Sequence, residues 1–137
     1  MSNEFKNNFN IVKITVSNNG FALKYASDEL KNEFDIIKTV VSNSNSNSNS
    51  NCGYVIQFAS DEIKNNIDIV KIAVSNYGYA LKYASNELKN NFDIVKIAVS
   101  NNIYSLQYAS NELKNNFDIV KIAVSNNIYS YNMLATN

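Results

Sequence analysis

The sequence predicts an all-α protein, a short right-handed α-solenoid built from helix pairs that repeat every 25 residues. Three observations point there. The phrase ASNELKNNFDIVKIAVSN stands at 84–101 and again, unchanged, at 109–126. Phe9, Phe34, Ile67, Phe92 and Phe117 open successive copies at separations of 25, 33, 25 and 25. The one long interval holds the eight extra residues SNSNSNSN, 44–51. Finally, the apolar residues of each copy recur at three-four spacing, the period of a helix face.

The chain divides as a single array over 1–137: units 9–33, 34–66 with the Ser/Asn insertion at 44–51, 67–91, 92–116, and a partial unit 117–137. Residues 2–9, SNEFKNNF, match 110–117, SNELKNNF, so the sequence opens inside a unit. After Tyr129 the pattern decays to SYNMLATN, which reads as a cap or as a decayed copy.

Each unit contains two apolar segments. In YALKYASNELKN, 79–90, Leu81, Ala84 and Leu88 share one face and Lys82, Asn86 and Lys89 the other. Ala, Leu, Lys and Glu are good helix formers, so one helix is expected across this stretch, broken by the KNN that follows. In FDIVKIAVSN, 92–101, Asp93 suits an N-cap and Asn101 or Asn102 an end. Asp93, Lys96 and Ser100 then form a polar stripe, leaving Ile94, Val95, Ile97, Ala98 and Val99 for the core. The alternative is a strand with Val95, Ile97 and Val99 on one face, giving a leucine-rich-repeat-like α/β horseshoe. The consecutive pairs Ile94-Val95 and Ala98-Val99 favour the helix. Gly20, Gly53 and Gly78 share a loop column and are expected to end the preceding helix in a left-handed conformation. The Ser/Asn tract falls in the interhelix loop of unit two, where extra length costs little closure entropy.

Composition excludes several kinds of work. Twelve Lys balance twelve Asp and Glu, and Arg and His are absent. A neutral surface without Arg does not suit nucleic acid or a polybasic membrane contact. Without His the usual general base and commonest metal ligand are missing. The adjacent acids Asp28-Glu29 and Asp61-Glu62 do not face one another on a helix. Cys52 is the single cysteine and has no neighbouring cation in sequence to activate it, which fits an inert thiol in a reducing, intracellular setting. The polar start MSNEFKNNFN is no signal peptide. No enzyme activity, metal or cofactor is expected. Asn is abundant, 27 residues, and an A/T-rich codon bias accounts for much of that.

Charges and aromatics fall in columns. Lys71, Lys96 and Lys121 share one position, and Tyr79, Tyr104 and Tyr129 another. Residues repeated in every unit are structural or form an extended surface, since catalysis needs one convergence of different groups. The two columns together are the expected interaction surface. For the tyrosines, packing between successive units with the hydroxyl outward is the favoured reading over a recognition stripe.

The residues YALKYASNELKNNFDIVKIAVSN resemble the ~25-residue tandem repeats of a domain-of-unknown-function family abundant in giant viruses of amoebae and also found in protists and bacteria. Its units have the form aLqyAseeLknd.eiVl.Av.n.g. Ala80, Leu81, Tyr83, Ala84, Ser85, Glu87, Leu88, Lys89, Asn90, Asp93, Ile94, Val95, Ala98 and Val99 carry the match. The resemblance implies helical repeats and no catalytic residues. A weaker likeness to ankyrin repeats, in ALKYAS followed by DIVKIAVSN, lacks the β-hairpin finger and reflects similar helix-pair physics.

The expected function is a non-enzymatic scaffold that binds a protein partner, with neither nucleic acid nor membrane involved. The alternative is a structural or filler protein of a viral particle or factory. Open solenoid ends expose apolar surface, so end-to-end self-association is a further expectation.

Overall fold

Each repeat folds as three helical segments rather than two. A computed structural model describes the backbone of residues 2–43 and 52–135 and the side chains of 2–43 and 53–126; the Ser/Asn tract lies outside these. Among the described residues all regular structure is helical, so the all-α repeat holds and the strand-lined horseshoe does not.

Take the unit that holds the quoted phrase. A 3₁₀ segment runs Gly78–Tyr83, a four-residue helix Asn86–Lys89, and a longer helix Phe92–Asn101. The expected single helix over 79–90 is therefore broken, and the break is at Ala84 and Ser85, whose ψ angles are 158° and 159°. Hydrogen bonding explains it. The Ser85 N–H donates to the Lys64 carbonyl of the preceding unit at 2.9 Å. Its hydroxyl accepts from Leu88 N at 3.2 Å and donates to Asn65 Oδ1 at 2.5 Å. Three such bonds contribute about 1 kcal/mol each. The helix propensity of the two residues at the break sums to less than ~1 kcal/mol. Tertiary bonding wins.

The long helix 92–101 begins after Asn91, whose Oδ1 accepts from Ile94 N at 3.1 Å. Asn91 and not Asp93 is thus the N-cap; Asp93 sits within the first turn, where its charge still favours the helix dipole. Asn102 is the C-cap, as expected from the asparagine pair. Ile94, Val95, Ala98 and Val99 are buried, Ile97 is half-buried, and Phe92, Asp93, Lys96 and Ser100 are exposed.

The other units repeat this plan. The long helices are Phe9–Asn18, Phe34–Ser42, Ile67–Asn76, Phe92–Asn101 and Phe117–Ala135. The 3₁₀ segments are Gly20–Tyr25, Cys52–Phe58, Gly78–Tyr83 and Ile103–Tyr108. Long helices stack in one row and 3₁₀ segments in a second, with the short helices joining the two. The core lies between the rows. Leu23, Ile56 and Leu81 fill it from the 3₁₀ side, and Ile36, Ile69 and Ile94 from the long-helix side. Six-residue 3₁₀ runs are uncommon because their bonds are strained. Here each is held between two long helices, which supply the burial that its own geometry does not.

The glycines act by size, not by handedness. None has a positive φ. A Cβ on Gly78 would stand 2.5 Å from the Ala98 carbonyl oxygen and 2.8 Å from Ser105 Oγ. A Cβ on Gly20 would stand 2.8 Å from Val55 and 2.9 Å from Val40. Both lie where the next unit presses in. The last long helix differs from the rest: helical backbone runs through Asn126 and Asn127 to Ala135, where earlier units turn into a 3₁₀ segment.

Candidate functional site

Most of the polar columns hold the array together. Along the short-helix edge, Ser27, Ser60, Ser85 and Ser110 each donate their N–H to a lysine carbonyl of the preceding unit, at 2.9–3.1 Å. Ser60, Ser85 and Ser110 also donate their hydroxyls to Asn32, Asn65 and Asn90 at 2.5 Å. The amides of Asn32 and Asn65 in turn donate to Glu62 and Glu87 of the next unit, at 3.0 and 3.3 Å. At the far end of the long helices a second set of asparagines reaches back. Asn43, Asn76 and Asn101 donate to the carbonyls of Ser17, Val41 and Ser75 at 2.8, 2.6 and 2.9 Å. Codon bias is therefore an incomplete account of the asparagines: at these columns each has partners that a shorter or apolar side chain does not supply.

The tyrosine columns also join units. Phe21 meets Phe58 at 6.3 Å between ring centroids, Tyr54 meets Tyr83 at 6.1 Å, and Tyr79 meets Tyr108 at 5.9 Å, all edge to face. Each pair links the Tyr79 column of one unit to the Tyr83 column of the next, a favoured aromatic geometry. Tyr77 breaks the repeat. Asn19 and Asn102 hold its place elsewhere and cap their 3₁₀ segments. Tyr77 stacks on Tyr54 at 4.6 Å and Tyr79 at 5.7 Å, and its hydroxyl donates to that of Tyr54 at 2.7 Å. Burial first, then that bond, push the Tyr77 hydroxyl above the ordinary tyrosine pKa. The cluster also explains Gly53, where any Cβ would run into Tyr77. Of the expected recognition tyrosines, Tyr79 is thus half-buried between units and Tyr104 is 66% exposed. The Tyr129 side chain lies outside the described residues.

The lysine column is different. Lys71, Lys96 and Lys121 are all exposed on the outer face of the long helices. Two open grooves run between these helices. One, of about 660 Å³, is lined by Lys71 and Lys96 with Asp93, Ile97 and Ser100. The next, of about 570 Å³, is lined by Lys96 and Lys121 with Phe92, Asp118 and Ile122. Each offers two ammonium groups and one carboxylate, beside Ile97 in the first and Phe92 and Ile122 in the second. Beside the lysines stands a column that the sequence reading left out of the surface. Phe9, Phe34, Ile67, Phe92 and Phe117 are 36%, 37%, 48%, 37% and 77% exposed. Lys13 lies over the Phe9 ring at 5.6 Å and Lys38 over the Phe34 ring at 5.7 Å. The signal was present in the sequence: residue 92 is four before Lys96 and so shares its side of the helix.

Among the described residues, no cluster of three His, Cys, Asp or Glu could hold a metal, and no helix is long and apolar enough to cross a membrane.

The family model for a domain of unknown function, DUF4116, matches five overlapping stretches: 1–31, 8–51, 47–89, 69–114 and 91–136. No curated protein and no solved structure matches the chain. The five matches leave almost no residue uncovered, and the chain belongs to the DUF4116 family as a tandem array of its repeat.

Proposed function

We propose that this member of the DUF4116 family is a non-enzymatic intracellular scaffold that holds a protein partner along the outer face of its long helices. The observation behind this is the pairing of two exposed columns, Phe34, Ile67, Phe92 and Phe117 beside Lys38, Lys71, Lys96 and Lys121. Stacked helices stand roughly 10 Å apart, so the face presents an apolar side chain and an ammonium group at each such step. That rhythm suits an extended or helical protein segment with apolar anchors and acidic groups. Exposed aromatics in a row are the feature that monomeric surfaces usually avoid. Of the tyrosines first expected there, Tyr79 is engaged between units and Tyr104 stands on the 3₁₀ side, so neither belongs to this face.

Charge reversal tests this. A triple variant with Lys71, Lys96 and Lys121 each changed to Glu should fold and lose a stoichiometric partner that the wild type retains. A control with Lys24 and Lys82 changed to Glu, exposed on the 3₁₀ side, should keep it. Equal retention by both variants would contradict the proposed face.

A further inference from the structure

We propose that the long-helix face takes a second copy of this chain, two arrays docking face to face about a two-fold axis along the stack, an inference that rests on the protein-binding face proposed above and names its occupant. A partner for that face needs apolar anchors beside acidic groups. The face itself carries them. Phe34-Asp35, Ile67-Asp68 and Phe92-Asp93 are exposed, consecutive pairs, repeated at the same step as the lysines they would meet. These charges are available. Among the described residues, the side chains of Asp68 and Asp93 and of Lys71 and Lys96 make no ion pair. The chain is net neutral, so no overall repulsion opposes a second copy.

The grooves show how two copies fit. One wall of the second groove carries Phe92 and Lys96, and the facing wall carries Asp118 and Ile122. Asp118 stands in the column of Asp93, and Ile122 in that of Ile97. Along the helix direction the four columns therefore fall in the order Phe, Asp, Lys, Ile. Taking the Phe column as zero, they stand at about 0, 1.5, 6 and 7.5 Å, from a rise of 1.5 Å per residue. The midpoint of Phe and Ile is the midpoint of Asp and Lys. A two-fold axis through it exchanges both pairs at once. Phe92 of one copy then enters the groove over Ile122 of the other, and Lys96 stands over Asp118. The same operation sets Ile67 over Ile97 and Lys71 over Asp93, in the groove between the preceding two helices. Turning the second copy the other way, with helices parallel, would oppose Lys to Lys and Asp to Asp. The charge columns thus select the antiparallel arrangement. A second stack shares the helix spacing by construction, so the match accumulates from groove to groove. The contact is isologous and closes as a dimer.

The test is a charge exchange read by sedimentation and light scattering. Wild type should pass from 15.4 kDa to twice that mass, and no further, as concentration rises toward about 1 mM, the range of weak association. Changing Lys71, Lys96 and Lys121 together to Glu leaves the face acidic. Changing Asp68, Asp93 and Asp118 together to Lys leaves it basic. Each variant alone should stay monomeric while keeping the wild-type circular dichroism spectrum, and their equimolar mixture should recover the dimer. If the Asp→Lys variant loses that spectrum, Phe92→Gln, on an exposed side chain, takes its place and should weaken self-association by about tenfold or more, as loss of an aromatic anchor does. A wild type that stays at 15.4 kDa throughout would overturn the second copy. If that monomer still lost a different captured partner on lysine reversal, the face would stand and only its occupant would change. Variants that dimerise alone as the wild type does, or a mixture that stays monomeric, would also overturn the proposal.

Discussion

Replacing Ser85 by Ala is the sharpest probe of how the units are joined. The side chain makes two bonds, accepting from Leu88 N at 3.2 Å as an N-cap and donating to Asn65 Oδ1 at 2.5 Å. Loss of an N-cap costs about 1 kcal/mol. A partly exposed neutral bond to another unit adds roughly 0.5–1 kcal/mol. The backbone bond from Ser85 N to the Lys64 carbonyl survives the change. The expected destabilisation is thus ~1.5–2 kcal/mol. Ser2 makes the same kind of cap, to Phe5 N at 3.5 Å, and among the described residues its hydroxyl makes no bond to another unit. In a dilute, monomeric sample Ser2→Ala should cost no more than ~0.5 kcal/mol, because terminal caps on frayed turns contribute little. Urea unfolding followed by circular dichroism measures both. With a slope of about 2 kcal/mol/M, Ser85→Ala should lower the midpoint by ~0.7–1 M. An unchanged midpoint for Ser85→Ala would refute the reasoning, since Ala would then be welcome in a continuous helix over 79–90. A double-mutant cycle with Asn65→Ala should return a coupling of about 0.5–1 kcal/mol, isolating the bond between units.

Three other outcomes follow from the same geometry. Gly78→Ala should destabilise by about 1–3 kcal/mol in the same urea assay, because its Cβ would meet the Ala98 backbone oxygen at 2.5 Å. Ser105 is fully buried with no partner for its hydroxyl, in the column that Ala80 fills one unit earlier. Ser105→Ala should therefore raise stability by ~1 kcal/mol, read as a higher urea midpoint. The Tyr77 hydroxyl has a raised pKa, so its contribution to stability is fully present below the unfolded tyrosine value near 10 and is lost as pH rises beyond it. Ultraviolet titration should show one tyrosine ionising after the rest, and Tyr77→Phe should remove that late step.

The repeat, the long helix and its core were legible because they rest on local rules. A strict period and apolar residues at three-four spacing suffice to place Ile94, Val95, Ala98 and Val99 inside. The break at Ser85 was hidden for a physical reason. Its propensity cost is small, and the bonds that outweigh it reach Lys64 and Asn65, twenty or so residues away. The glycine column misled in the same way: its constraint is contact with the next unit, not backbone handedness. Of the candidate surface, the lysines were found because charge repeated at one position must face water or a partner. The tyrosines were divided by tertiary contacts. Tyr79 meets Tyr108 of the next unit, and Tyr104 stands exposed. The phenylalanine column was overlooked because it served only to mark the period, and its relation to Lys96 shows only once both are drawn on the helix.

The account depends most on short helical segments being held by bonds between units, and site-resolved amide hydrogen exchange tests that directly. Ser85 N–H, bonded to the Lys64 carbonyl, should exchange slowly. Asn86 and Glu87, in the first turn of the four-residue helix, have no backbone acceptor and should exchange fast, and Leu88 and Lys89 should be slow again. The same pattern should recur at Ser60 and Ser110. Unbroken protection from Lys82 through Lys89 would mean one continuous helix per unit and would contradict the three-segment repeat and the clamps built on it.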